Sequence, residues 1–117
     1  MKSQVISARV PRALRAELER ASARAHLSVG GGLDLLLRCS VANRELFLQM
    51  SDCHDSWDAK VDARISLSTF TELKTVCEQL GIPVSVYVRK LLYHLYGTRT
   101  VKFVGSNGHY TLAYRHE

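Results

Sequence analysis

Two short stretches of the chain alternate apolar and polar residues. The first stretch places Ile6, Ala8 and Val10 between Val5, Ser7 and Arg9. The second places Val61, Ala63 and Ile65 between Lys60, Asp62 and Arg64. A period of two is typical of a strand with one apolar face and one polar face. The pattern therefore predicts two half-buried strands.

Each predicted strand is followed by two stretches whose apolar residues recur at helical spacing. After the first strand these residues are Leu14, Leu18, Ala21 and Ala25, then Leu33, Leu36, Leu37 and Val41. After the second strand they are Phe70, Leu73, Val76 or Cys77, and Leu80, then Val88, Leu91, Leu92 and Leu95. The chain is predicted to contain four amphipathic helices.

Residues with strong positional preferences mark the ends of these helices. Pro11 suits the first helical position, where its missing N–H costs nothing. Ser28 is a good N-cap, and either Ser66 or Ser68 can cap the third helix. Gly81 is predicted to end that third helix.

The order strand, helix, helix occurs twice, with an offset of 55 residues. Ala8-Arg9-Val10 aligns with Ala63-Arg64-Ile65, and Leu36-Leu37 aligns with Leu91-Leu92. Such a repeat indicates duplicated units. Each half is near the lower size limit for an independent core, so we expect the halves to fold together.

We predict a single domain over residues 1–117, with two segments outside the repeats. Repeat one spans 4–49, a polar and acidic linker spans 50–59, and repeat two spans 60–97. Residues 99–115 alternate on both sides of Gly105-Ser106-Asn107-Gly108 and predict a C-terminal β-hairpin with Asn107-Gly108 in its turn.

The predicted fold is α+β and mostly α, with two strands paired antiparallel over four helices. When the two strands pair, their polar faces lie side by side and point outward. A two-stranded ribbon of this kind fits the major groove of B-DNA. Arg9 and Arg64 could each bond to guanine, and Ser7 could read several bases. Lys60 could contact guanine or a phosphate. Asp62 could accept from cytosine N4 or orient Arg64 or Lys60.

The charge distribution favours a nucleic-acid partner. The chain of 117 residues has a formal net charge of +5 and a pI of about 9.4. Residues 1–49 contain eight Lys/Arg and four Asp/Glu. Residues 50–117 contain eight Lys/Arg and seven Asp/Glu, so the first part of the chain is the more basic. A basic surplus raises the expectation of nucleic acid or an acidic membrane surface. No apolar run of 18 residues is present, so we expect no membrane span, and a membrane is not among the expected partners.

The segment Ser-Ala-Arg-Val-Pro-Arg-Ala-Leu-Arg-Ala-Glu-Leu at 7–18, followed by Leu-Ser-Val at 27–29, resembles the ribbon-helix-helix family of DNA-binding proteins. The resemblance implies a pseudo-twofold tandem ribbon-helix-helix fold. It implies base reading by Val5, Ser7, Arg9, Lys60, Asp62 and Arg64. It also implies that a phosphate is anchored by Ser28, Val29 and Gly30, and by Val84 and Ser85 in repeat two.

Two features depart from the pattern that is common in this family. Both repeats lie in one chain, so the ribbon is asymmetric and need not read a palindrome. Pro83 stands where the family has its anchoring Ser and lacks an N–H. Gly30-Gly31-Gly32 is costly inside a helix, which close approach of backbone to a phosphate or close helix–helix packing would explain.

A fused pair with a trailing hairpin also resembles the accessory virulence proteins of agrobacterial tumour-inducing plasmids, which bind DNA beside the T-DNA border. This narrower resemblance implies a role in plasmid or T-DNA transfer, with the border-nicking relaxase complex as a partner. We expect a cytoplasmic monomeric pseudodimer that binds double-stranded DNA singly or in several copies.

Several residues have a second interpretation. Arg12 contacts a DNA phosphate or is a solvated helix charge. Asp52-Cys53-His54-Asp55 is interpreted as linker rather than a metal site, and neither a metal nor a cofactor is expected. Cys39 and Cys77 are predicted to be small core residues. Trp57 is predicted to pack in the core or an interface, with stacking on single-stranded bases as the alternative.

Three functions remain open from the sequence. The first is a DNA-transfer accessory protein, and the second is a repressor or antitoxin with the same fold. The third is a hydrolase or metalloenzyme using His54 and nearby acids, which the spacing of residues does not support. The chain is therefore predicted not to be an enzyme.

Overall fold

The structure is a computed structural model that describes residues 3–42 and 56–97, together with the backbone of two strands at 99–106 and 109–116. Its elements in chain order are β1 (Ser3–Val10), α1 (Arg12–Arg24), α2 (Val29–Ala42), β2 (Ala59–Ser66), α3 (Leu67–Leu80), α4 (Val84–Tyr96), β3 (Arg99–Ser106) and β4 (His109–His116). The predicted class is confirmed, since the described residues form a small and mostly helical α+β structure with four helices.

Strands β1 and β2 form a two-stranded antiparallel sheet, which we call the ribbon. Ser3 pairs with Ser66, Ser7 with Asp62, and Val10 with Ala59. Burial alternates along both strands, with every second residue from Ile6 to Val10 and from Ala59 to Ile65 buried. The predicted alternation is therefore confirmed. Strand β2 begins at Ala59, inside the predicted linker.

The buried face of the ribbon belongs to one hydrophobic cluster that includes residues of both halves of the chain. Leu18 and Leu36 from the first half and Leu73 and Leu91 from the second are fully buried in it. A polar contact also joins the halves, since the Tyr87 hydroxyl donates to Ser40 Oγ over 2.8 Å. The apolar stripes that the sequence predicted are thus the ones that meet in the core.

The helix ends follow local chemistry. The structure places Pro11 at the N-cap of α1 rather than at the first helical position, with ψ of 142°. Ser66 caps α3 and accepts from Thr69 N. Gly81 ends α3 in the left-handed region at φ of 69°, and His26 occupies the same region after α1 at φ of 58°.

The two cysteines on described helices differ in environment. Cys77 is buried, as predicted, and desolvation raises the pKa of its thiol to about 11. The prediction for Cys39 is wrong, because this residue lies on the exposed face of α2. Leu36, Leu37 and Ser40 occupy the buried face of that helix instead.

Parts of several predictions fall outside the described residues. These are the end of repeat one at 43–49, most of the linker at 50–55 and the turn at Asn107-Gly108. Strands β3 and β4 pair antiparallel, with Arg99 opposite His116 and Ser106 opposite His109. Among the described helices, none combines the length and apolarity that crossing a membrane requires.

Candidate nucleic-acid interface

The exposed face of the ribbon brings together all six side chains that the sequence assigned to base reading. Val5 lies opposite Arg64, Ser7 opposite Asp62, and Arg9 opposite Lys60. All six residues are exposed. Strands rise about 3.3 Å per residue, so the three pairs span ~13 Å along the ribbon. The surface is narrow, polar at its centre and cationic at both ends.

At the centre, Asp62 is engaged by neighbours on both strands. The Ser7 hydroxyl donates to Asp62 Oδ1, and Lys60 Nζ lies 3.5 Å from the same oxygen. The Ser7 hydrogen bond is the main cause that lowers the pKa of Asp62; desolvation opposes this shift, and the charge of Lys60 adds to it. Asp62 was predicted to orient Arg64 or Lys60, and in the structure it contacts Lys60.

The two arginines of the ribbon have different surroundings. Arg64 Nη1 donates to Ser3 Oγ over 3.0 Å, a contact between the two strands at one end. At the other end, Arg9 makes no ion pair with any residue that the structure describes. Both Arg9 and Arg64 are exposed.

The start of α2, where the first phosphate anchor was predicted, lies against β2. A β-carbon built on Gly30 would lie 2.8 Å from the backbone oxygen of Arg64, so only glycine fits without a shift. Ser28 Oγ accepts from Gly31 N over 3.0 Å and caps the helix. Val29 and Gly30 then present the first N–H groups of the helix, which have no partner within it. The close approach to β2 accounts for the glycine at position 30.

The start of α4, where the second anchor was predicted, lies beside Arg9. Ser85 and Arg9 line one groove next to the ribbon. Pro83 is the N-cap of this helix and makes no side-chain cap, unlike Ser28 at α2. Each predicted phosphate anchor thus lies beside a ribbon arginine from the other half of the chain: Gly30 beside Arg64, and Ser85 beside Arg9.

Arg12 follows the ribbon directly, at the first position of α1. Its side chain is 80% exposed and lies 3.6 Å from the Asp58 carboxylate. Asp58 also accepts from Arg12 N over 3.0 Å, so this carboxylate occupies the positive end of α1. An exposed ion pair of this kind contributes little to stability. Arg12 is accessible to a ligand on the ribbon side of α1.

The sequence reasoning missed the pair formed by Trp57 and Arg89. Arg89 Cζ lies 3.6 Å from the centre of the Trp57 ring, a cation–π geometry. Trp57 is 43% exposed rather than packed in the core, while Arg89 is 5% exposed. One signal was present: Arg89 lies three residues before Leu92, which places a charge on the buried side of α4.

The residues that the structure describes include no group of three or more His, Cys, Asp or Glu that could hold a metal ion. The stretch Asp52-Cys53-His54-Asp55 lies outside the described residues.

Comparisons of the chain with protein-family models, with curated proteins and with solved structures found no match.

Proposed function

We propose that this protein binds double-stranded DNA by placing the exposed face of the ribbon in the major groove. The observation that carries the proposal is the face itself: three cross-strand pairs of exposed side chains, with Arg9 and Arg64 at opposite ends. A two-stranded ribbon is narrow enough for the groove, which is about 12 Å wide. Side chains alternate between the two faces of each strand, so those on the exposed face all point toward the bases.

A tandem ribbon-helix-helix arrangement is part of this proposal. The central ribbon pair joins Ser7 to Asp62, two positions that differ by 55, the offset of the sequence repeat. The left-handed residues His26 and Gly81 differ by the same number. These coincidences support two related halves with a pseudo-twofold axis through the centre of the ribbon. The C-terminal hairpin lies outside this repeat.

The spacing of the ribbon side chains suits direct base reading. Val5, Ser7 and Arg9 extend over ~13 Å, or about four base-pair steps of 3.4 Å. Arg9 and Arg64 each donate to O6 and N7 of a guanine, the commonest specific contact in this groove. Because Val5 and Arg64 differ from Lys60 and Arg9, the two ends of the ribbon select different bases. The target therefore need not be a palindrome.

Phosphate contacts fix the position of the ribbon on the duplex. The start of α2 at Ser28, Val29 and Gly30 and the start of α4 at Val84 and Ser85 lie on opposite sides of the ribbon. Backbone N–H groups at a helix start favour an anion. Arg12 adds a charge next to the ribbon. Phosphate contacts of this kind position a protein without reading the sequence.

In the cell, we propose that this DNA binding serves plasmid or T-DNA processing, with the relaxase complex as the partner. This step rests on the resemblance of the fused repeats and trailing hairpin to accessory virulence proteins. The protein has no catalytic role in the proposal and acts by occupying a site next to the nicked border. It binds as one chain or as several chains side by side.

Fluorescence anisotropy tests the proposal, with a labelled T-DNA border duplex and a scrambled duplex over a salt series. We expect the border duplex to bind ~10³-fold more tightly. Arg9→Ala or Arg64→Ala should remove ~1–3 kcal/mol of specific binding, whereas Lys74→Ala, an exposed control on α3, should not. Equal losses on both duplexes would refute base reading by these arginines. Equal affinity of the native protein for both duplexes would refute the border as target.

A further inference from the structure

A groove of about 350 Å³ lies beside one end of the ribbon. Its lining includes Ser7, Arg9, Trp57, Lys60, Ser85 and Arg89. Three of these side chains are cationic and, of the described residues that line the groove, none is acidic. The indole of Trp57 forms an exposed apolar wall. The groove thus combines positive charge with an accessible aromatic surface.

The corresponding positions at the other end of the ribbon have a different character. Residues 55 positions from Lys60, Ser85 and Arg89 are Val5, Gly30 and Asp34. Asp34 accepts from Ser66 N over 3.1 Å and pairs with Arg38 Nε at 3.3 Å, so a carboxylate stands where the groove has a guanidinium.

The residue that corresponds to Ser85 is in close contact with backbone. Gly30 lies directly against the backbone of β2 at Arg64, whereas Ser85 and Arg9 leave a groove between them. An anionic ligand therefore finds both space and positive charge in the groove at the end that carries Arg9 and Lys60.

The position of Trp57 is determined by Arg89. The guanidinium stacks on the indole and is itself almost entirely buried, so it holds the ring at the rim of the groove. Asp58, the next residue along the chain, is fixed to the start of α1 by its contact with Arg12 N. The ring is thus held between two anchored residues, with nearly half of its surface accessible. A preorganised aromatic side chain loses little entropy when it binds a ligand.

We propose that this groove binds the sugar-phosphate backbone of the DNA flank beyond the end of the ribbon that carries Arg9 and Lys60. The phosphate lies between Lys60 and Ser85, and the deoxyribose packs against Trp57. This inference rests on the proposed function, because it requires the ribbon to lie in a major groove. It adds an indole contact with the sugar on one flank, and the chain has no second tryptophan to make the same contact on the other.

A one-sided contact gives the complex a direction. A symmetric ribbon protein binds equally well after a half turn about its twofold axis, whereas this chain packs an indole against the deoxyribose at one end only. The groove therefore orients the protein on its site, and one face of the protein always lies toward the same neighbouring DNA.

Trp57 provides the test, because it is the single tryptophan of the chain. Iodide quenching of its fluorescence should fall when a tight-binding duplex is added. Hydroxyl-radical footprinting should reveal protection that extends further on one flank. Trp57→Ala should shorten the protection on that flank alone and weaken binding by about tenfold, as expected for an aromatic side chain at an interface. Trp57→Phe should retain most of the affinity.

Leu67→Ala is the matched control, since Leu67 is another exposed apolar residue but does not line the groove. The affinity and the footprint of the Leu67→Ala variant should equal those of the native protein. The inference is overturned if native protein binds the duplex while iodide access to Trp57 is unchanged and Trp57→Ala leaves the footprint intact. In that case the proposed function stands. If the native protein binds no duplex, the proposed function fails and the inference fails with it.

Discussion

Replacing Gly30 by alanine tests how the start of α2 is fitted to the ribbon. The added β-carbon would lie 2.8 Å from the backbone oxygen of Arg64 and 3.3 Å from its nitrogen. Both atoms belong to the backbone of β2, which cannot move aside as a flexible side chain can. Either α2 or β2 must therefore shift. Gly31 is the matched control, because its nearest neighbour is the Ser28 hydroxyl at 3.3 Å.

The expected change in the free energy of unfolding follows from two opposing effects. Alanine is favoured over glycine in a helix by up to ~1 kcal/mol, and both positions lie in the first turn of α2. This gain is therefore similar in the two variants and cancels when they are compared. Overpacking against rigid atoms costs ~1–3 kcal/mol. We expect Gly30→Ala to be less stable than Gly31→Ala by that amount.

Urea unfolding followed by circular dichroism at 222 nm measures this difference directly. A difference of 1 kcal/mol corresponds to roughly 4 °C in Tm for a chain of this size, so thermal unfolding gives a second estimate. Equal stability of the two variants would refute the claim that β2 is in close contact with α2 at Gly30. A shifted β2 should also weaken binding to the proposed DNA target, with Gly31→Ala unaffected.

The other predictions concern the core and the helix ends. Gly81→Ala should lower the free energy of unfolding by ~1 kcal/mol, because the left-handed backbone penalises a β-carbon that meets no other atom; an unchanged urea midpoint would contradict this. Tyr87→Phe should cost about 1 kcal/mol, because Ser40 loses its donor; no loss of stability would show that the bond contributes nothing. Cys77 should react with maleimide only on unfolding, while Cys39 reacts in the native state, as peptide mass spectrometry can establish. Burial raises the pKa of the Cys77 thiol to about 11. The stability that depends on keeping this thiol neutral is therefore fully present below the ordinary thiol pKa of about 8.5, and it is lost as the pH rises toward 11.

Periodicity was sufficient to predict the ribbon and the four helices. Alternation at Ile6, Ala8 and Val10 reflects a physical requirement, since one face of each strand must be buried. The same applies to the helical stripes, whose leucines fill the core. Capping at Ser66 and the left-handed end at Gly81 were also predictable, because each depends on the chemistry of a single residue.

The features that sequence reasoning missed depend on contacts between distant segments. Trp57 stacks on Arg89, 32 positions later, and no local pattern indicates that pairing. Cys39 was misplaced because the stripe of α2 is broad, and a small residue fits either side of its boundary. The requirement for glycine at position 30 arises from β2, which follows more than 25 residues later.

Chemical-shift mapping tests the central claim most directly. Nitrogen-15-labelled protein is titrated with a duplex selected for tight binding from a random pool, and the backbone amide shifts are assigned. The account predicts the largest changes in β1 and β2 and at the starts of α2 and α4. Changes confined to the outer face of α3, with the ribbon unperturbed, would contradict a ribbon that lies in the major groove.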